Sequence, residues 1–124
     1  LKLTLEDLVL ACKCDVGESF VLVEGVGGLY SPIAEATLNV DLAVELQLPV
    51  LIVIRDELGA ISQALLTLEA AKNNNLTVAG VILNVVESNN LSNKEALVAY
   101  TKTPVISFSQ GDLGAFCSEI EKLV

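Results

Sequence analysis

The chain has 124 residues, of which 52% are hydrophobic and 4% aromatic, and its net charge is −9. This length is typical of one domain, so residues 1–124 are treated as a single domain. The acidity argues against nucleic-acid binding, which needs a basic face. Histidine is absent, which excludes Cys–His and Ser–His catalytic pairs. Because no apolar stretch reaches about 18 residues, we expect no membrane span.

Hydrophobic periodicity predicts helices and strands in regular alternation along the chain. The predicted helices cover residues 4–13, 36–46, 61–72, 93–100 and 113–123. The predicted strands cover residues 20–23, 49–55, 78–84 and 104–108. Thr4 is the predicted N-cap of the first helix, with Asp7 three residues later. Because every connection between strands is long enough for a crossover, this order predicts an α/β fold, an open parallel sheet with helices on both faces.

The three cysteines are Cys12, Cys14 and Cys117. An odd number without a signal peptide is typical of a reducing compartment, and we expect a cytoplasmic protein. A single residue separates Cys12 from Cys14, which is not the two-residue spacing of zinc knuckles. The cysteines are therefore interpreted as structural.

Polar residues follow all four predicted strands. They are Glu24, residues 55–57, Asn84 and residues 107–110. In open parallel sheets, ligands bind outside the carboxyl ends of the strands. The four polar ends therefore predict one polar rim, although polar turns at strand ends are an alternative explanation.

Glu24 begins the most distinctive segment, because Gly25, Gly27 and Gly28 follow it. Glycines let a backbone turn sharply or approach a ligand closely. A carboxylate at the end of a buried strand can hold Mg²⁺, which usually binds one or two carboxylates plus substrate phosphates. Glu24 is thus a candidate magnesium ligand.

Two further candidate sites follow the second and third predicted strands. Gly59, Ala60, Ile61 and Ser62 open a helix, where unpaired backbone N–H groups favour an anion such as a carboxylate or phosphate. An ordinary capped helix start explains the same pattern. Asn84 offers a donor and an acceptor together, which suits a purine edge, and a turn residue is the alternative. The 124 residues contain neither G-x-x-x-x-G-K-[ST] nor G-x-G-x-x-G, so they hold no phosphate cradle of their own.

Residues 20–84 resemble dethiobiotin synthetase. The family's V-E-G-x-G-G, L-P-V, L-G-x-I, L-L-T and G-x-x-x-N segments correspond in order to residues 23–28, 48–50, 58–61, 65–67 and 80–84. Residues 85–124 resemble the family more loosely. The resemblance implies a P-loop NTPase-like α/β fold and a homodimer. It also implies closure of the ureido ring of dethiobiotin from 7,8-diaminopelargonic acid, CO₂ and ATP, with Mg²⁺, in biotin synthesis. In that reaction, ATP phosphorylates a carbamate on the diamine, and the second amine displaces the phosphate.

The resemblance also assigns site roles to particular residues. Glu24 matches the glutamate associated with Mg²⁺, and the loop containing Gly27 and Gly28 matches a glycine segment that contacts the substrate. The helix start from Gly59 through Ala60 and Ile61 to Ser62 matches the segment that holds the substrate's carboxylate tail across the dimer interface. Asn84 matches the asparagine that reads adenine, and no catalytic residue of the family falls within this chain.

The sequence departs from the family at four places. The phosphate-binding loop, with its lysine, precedes the matching residues in the family, so the chain is interpreted as an incomplete part of the enzyme. The family's I-N-H is Ile61-Ser62-Gln63 here, and Glu57 adds a negative charge near the expected carboxylate tail. The proline expected after the fourth strand is not evident at residues 107–110. Two alternatives stay open, a catalytically inactive dimerisation or binding module, and another P-loop amide-forming enzyme.

Overall fold

The structure is a computed structural model, and it describes residues 2–13, 17 and 20–123. In chain order, the elements are α1 (Leu5–Cys12), β1 (Pro32–Ala34), β2 (Thr37–Leu38), α2 (Asn39–Leu46), β3 (Val50–Arg55), α3 (Ala60–Asn73), β4 (Val78–Val85), α4 (Asn93–Val98), β5 (Val105–Ser109) and α5 (Leu113–Ile120). Among these residues, none of the helices is both long and apolar enough to cross a membrane.

Three strands form a parallel sheet in the order β3-β4-β5. Each is a nearly continuous apolar run, as expected for strands that are covered by helices. Ile52 of β3 lies opposite Val81 of β4, and Val81 lies opposite Val105 of β5. The register confirms the parallel sheet and brings the carboxyl ends of the three strands to one edge.

One face of the sheet carries the main hydrophobic core. Ile54 and Leu83 lie side by side on this face, and they pack with Ala60 and Ala64 of α3 and with Leu97 of α4. The two alanines are almost fully buried. Small residues at these positions let α3 approach the sheet closely, and Leu97 fills the space beside them.

The other face is covered by α5 over β5 and is open over β3. Phe116 of α5 packs against Phe108 of β5, with ring centroids 4.9 Å apart in an edge-to-face arrangement. The Leu123 side chain contacts Gly80 on the same face. Helices therefore lie on both faces, as predicted. Val53 of β3 is 63% exposed on this face, because no described element covers it.

The predicted strand at residues 20–23 is wrong. These residues form no regular element, and Phe20 and Leu22 are each 75% exposed. A strand needs a hydrogen-bonded neighbour, and an apolar run alone does not supply one. Within the described residues, β3 to β5 pair only with each other. The predicted four-stranded sheet therefore has three strands here.

The segment before α2 also differs from the prediction. The predicted helix 36–46 begins only at Asn39, because β1 and β2 form a short antiparallel hairpin before it. Ala36 has a φ of 50°, a left-handed value that suits the hairpin turn and interrupts a helix. The other predicted helices and strands lie within a few residues of their predicted bounds.

The predicted capping box of α1 is confirmed. The Asp7 backbone N–H donates to Thr4 Oγ1 at 3.2 Å, and the Thr4 N–H donates to Asp7 Oδ2 at 2.9 Å. These backbone and side-chain hydrogen bonds from Thr4 hold the pKa of Asp7 below its usual value of 3.8. Cys14, by contrast, lies outside the described residues.

Candidate functional site

The carboxyl edge of the sheet brings together two predicted site segments, Asn84 and residues 55–57 after β3. Asn84 of β4 lies opposite Arg55 of β3 on one side and Phe108 of β5 on the other. The Asp56 N–H donates to the Asn84 carbonyl at 2.8 Å, so the turn after β3 is joined directly to β4. Three of the four predicted strand ends therefore form the rim, whereas Glu24 follows no strand because residues 20–23 are irregular.

Asn84 lines a cavity of about 480 Å³ beyond the ends of β4 and β5. Its other lining residues are Val85, Val86, Ser88, Phe108, Ser109, Gln110 and Gly111. Asn84 is partly buried, and its side chain forms no hydrogen bond within the described part of the chain. An aromatic ring, an amide and hydroxyl groups around one cavity can accept a flat heterocycle with polar edges.

Gly59 is the N-cap of α3. Residues 59–62 therefore open a helix, as predicted from the sequence. The φ of Gly59 is 94°, a left-handed value that glycine adopts without strain. Ala60 donates its N–H to the Glu57 carbonyl at 3.1 Å, and the first helical bond runs from Gln63 N–H to Gly59 O at 3.0 Å. The N–H groups of Ile61 and Ser62 precede that bond, and such groups can receive an anion.

Two asparagines that were not predicted as site residues hold the turn before α3. Asn93, buried at the start of α4, donates from Nδ2 to Asp56 Oδ1 at 2.7 Å and to Glu57 O at 3.1 Å. Asn89 donates to the Asp56 carbonyl at 2.9 Å. The sequence separations exceed 30 residues, so local pattern gives no signal for these contacts.

The negative charge of Glu57 is paired within the same turn. Arg55 Nε lies 3.2 Å from Glu57 Oε2, and the Arg55 guanidinium lies 3.8 Å from Glu87 Oε1. All three side chains are at least half exposed, so each pair stabilises the fold only weakly. The pairing nevertheless offsets the charge of Glu57 near the α3 start.

Glu24 lies on an exposed irregular segment outside the sheet. The carboxylate forms no ion pair or hydrogen bond within the described residues, so it is open to a ligand. The same part of the chain contains no group of three His, Cys, Asp or Glu side chains that could hold a metal. Glu24 can therefore provide one ligand to Mg²⁺, with the remaining ligands from water or phosphate oxygens.

The glycine loop after Glu24 is held by two side chains that were not predicted as site residues. The Gly28 N–H donates to Ser31 Oγ at 2.8 Å, and the Ser31 N–H donates to Gly28 O at 2.9 Å. Asn39 Nδ2 donates to the carbonyls of Val26 and Gly28, both at 2.8 Å. Gly27 has a φ of 86°, so this loop requires glycine at that position.

Residues 4–108 match the family described as AAA domain. The chain belongs to this family. The match covers β3, β4, nearly all of β5, the glycine loop and the start of α3, so it includes every predicted site residue, whereas residues 109–111 of the Asn84 cavity lie beyond it.

The chain is also similar to proteins named ATP-dependent dethiobiotin synthetase BioD. It is 48% identical over its whole length to the one from Vesicomyosocius okutanii subsp. Calyptogena okutanii, covering 56% of that protein. It is 44% identical over its whole length to the one from Ruthia magnifica subsp. Calyptogena magnifica, covering 57% of it. Over 103 residues, 80% of this chain, it is 39% identical to 43% of the Bacillus cereus (strain B4264) protein. The resemblance to dethiobiotin synthetase is thereby confirmed, and the chain spans about half the length of these relatives.

Proposed function

We propose that the chain is part of an ATP- and Mg²⁺-dependent dethiobiotin synthetase. Such an enzyme closes the ureido ring of dethiobiotin from 7,8-diaminopelargonic acid and CO₂ in biotin synthesis. The observation that carries the proposal is the carboxyl edge of the sheet, where the Asn84 cavity and the α3 start share one hydrogen-bonded turn. Relatives that are 48% and 44% identical over the whole chain carry the synthetase name.

We assign the base of the nucleotide to the Asn84 cavity. The amide of Asn84 can donate to a ring nitrogen of adenine and accept from its exocyclic amine. Phe108 lines the same cavity and offers an apolar surface to the ring. Ser109 and Gln110 supply further polar groups, and they take the place of the proline that the family resemblance led us to expect.

We assign Mg²⁺ to Glu24, whose exposed carboxylate fits one position of an oxygen-ligand shell. The ion would neutralise charge on the phosphate oxygens. The 124 residues contain no glycine-rich loop followed by lysine, so the groups that cradle the phosphates would come from the part of the longer relatives that this chain does not match. We therefore expect little or no turnover from the chain alone.

We assign the carboxylate tail of the diamine to the start of α3. The backbone N–H groups of Ile61 and Ser62 are suited to a carboxylate whatever side chain residue 62 carries. The adjoining surface supports a homodimer across this helix, because Leu58 is 86% and Leu66 65% exposed. A cytoplasmic location is part of the same proposal.

The first test is a titration of the isotope-labelled chain with adenosine, followed by nuclear magnetic resonance. We expect shifts confined to Asn84 and residues 108–111. Guanosine is titrated in parallel, and the difference between the two responses measures the selectivity of the cavity for adenine. Asn84→Ala should abolish the response, while Asn90→Ala, an exposed asparagine without hydrogen bonds in the described part of the chain, should retain it. A chain that self-associates but ignores both nucleosides would be the inactive binding module instead.

A further inference from the structure

The Asn39 side chain connects the first turn of α2 to the glycine loop. Its Nδ2 donates one hydrogen bond to Val26 O and another to Gly28 O, each 2.8 Å long. The backbone adds two more bonds nearby, from Asn39 N–H to Ser31 O at 3.0 Å and from Val40 N–H to Leu29 O at 2.8 Å. The loop therefore depends on α2 for its shape.

The chemistry of these contacts fixes the orientation of the amide. Carbonyl oxygens only accept hydrogen bonds, so the nitrogen of Asn39 must face Val26 O and Gly28 O. The Oδ1 atom then points to Gly25, where an added Cβ would lie 2.6 Å from it. Within the described residues, Oδ1 is a buried side-chain oxygen without a hydrogen-bond partner. The nitrogen of the Asn39 amide thus holds both carbonyls, while its oxygen is left without a hydrogen-bond partner among the described residues.

We propose that Asn39 is a positioning residue for the Glu24 loop. It keeps the carbonyl oxygens of Val26 and Gly28 turned to α2, so that they do not repel a phosphate or carboxylate oxygen held with Mg²⁺ beside Glu24. It also makes glycine necessary at position 25, because any side chain there would meet Oδ1. The benefit to magnesium binding rests on the proposed function, whereas the positioning of the loop does not.

An ordinary structural role for Asn39 predicts a different response to substitution. Asn39 is the first residue of α2, and leucine favours helix more than asparagine does. If Asn39 served only the helix, Asn39→Leu would leave the loop unchanged and the helix at least as stable. If it positions the loop, the same substitution removes both hydrogen bonds to the loop while keeping a side chain of similar size.

The test compares the unmodified 124-residue chain with Asn39→Leu, and Asn73→Leu is the matched control. Asn73 is an exposed residue of α3 with no hydrogen-bonded side chain among the described residues. We expect amide hydrogen exchange at Gly28 and Ser31 to become on the order of tenfold faster in Asn39→Leu. Exchange there should be unchanged in the control. Unchanged exchange in a folded Asn39→Leu chain would overturn the proposal.

The same samples are then titrated with Mg²⁺ in the presence of ATP, whose phosphates can supply the other oxygen ligands. A purely structural role of Asn39 would leave this binding unchanged. We expect the Glu24 resonances to report binding that is on the order of threefold to tenfold weaker in Asn39→Leu than in the control. If exchange accelerates but no sample binds Mg²⁺, the positioning of the loop stands and the assignment of Mg²⁺ to Glu24 fails. The two proposals are thereby separated.

Two further measurements keep the proposal testable if Asn39→Leu does not fold. In the unmodified chain, the Asn39 side-chain amide protons should exchange slowly and show contacts to residues 26–28. Gly25→Ala should accelerate exchange of the loop amides, and the effect should be smaller when Asn39→Ala is also present. Rapidly exchanging amide protons, or additive effects of the two substitutions, would contradict the proposal.

Discussion

Removing the Asn93 side chain should loosen the turn that joins β3 to the start of α3. Asn93 is 7% exposed, and its Nδ2 donates to the Asp56 carboxylate at 2.7 Å and to the Glu57 carbonyl at 3.1 Å. A hydrogen bond to a charged group contributes about 1.5–3 kcal/mol, and one between neutral groups about 1 kcal/mol. Because Asp56 is only partly buried, we expect Asn93→Ala to lower the free energy of unfolding by about 2–3 kcal/mol.

Urea denaturation followed by circular dichroism measures this loss. With a slope of about 1.5–2 kcal/mol per molar urea, the midpoint of Asn93→Ala should fall by about 1–2 M. Asn93→Asp should lower the midpoint further than Asn93→Ala at neutral pH, because it places a second carboxylate against Asp56. Asn90→Ala is the control, since Asn90 is exposed. If Asn93→Ala and Asn90→Ala unfold at the same urea concentration, the turn does not depend on Asn93 and the reasoning is refuted.

Three other perturbations test separate parts of the structure. Gly27→Ala forces an L-residue to a φ of 86° and should lower the free energy of unfolding, measured with urea, by about 1–2 kcal/mol. Gly28→Ala should lower it less, and equal losses would contradict the loop geometry. Because the pKa of Asp7 is lowered on folding, the contribution of Asp7 to the stability of α1 is present above pH 3.8 and is lost as the pH falls through the lower pKa of the folded state. Asp7→Asn should remove this loss of helicity in acid, and an unchanged titration of helicity would contradict the capping box. Because β3 is an edge strand of the described sheet, we expect its unpaired backbone groups to let two chains associate. Val53→Lys should reduce this self-association in sedimentation, because a charge on an edge strand blocks strand pairing, while Val98→Lys on α4 should not.

The sequence predicted those elements whose signals are local. The capping box of Thr4 with Asp7 is a spacing of three residues, and β3, β4 and β5 are continuous apolar runs with turn residues at their ends. The run at residues 20–23 has the same apolar character but no strand beside it among the described residues. Composition identifies a segment that can be a strand, and only pairing makes it one.

The candidate site likewise contains some residues that the sequence could place and others that it could not. Asn84 and Gly59 could be placed from the sequence, because the carboxyl ends of parallel strands meet at one edge. Asn39 and Asn93 could not, since each acts on a loop that lies 11 or more residues away. Asparagine at a helix start predicts a cap, and neither spacing nor periodicity indicates which loop the amide reaches.

The most direct test of the proposed function is turnover by a chimaera. This 124-residue chain would replace the matching stretch of the Vesicomyosocius okutanii protein, and ADP release that depends on 7,8-diaminopelargonic acid and CO₂ would be measured. We predict that the chimaera turns over, that the chain alone does not, and that Glu24→Gln and Asn84→Ala each lower kcat/KM at least about tenfold. A folded chimaera that binds nucleotide but releases no ADP in response to the diamine would contradict the assignment.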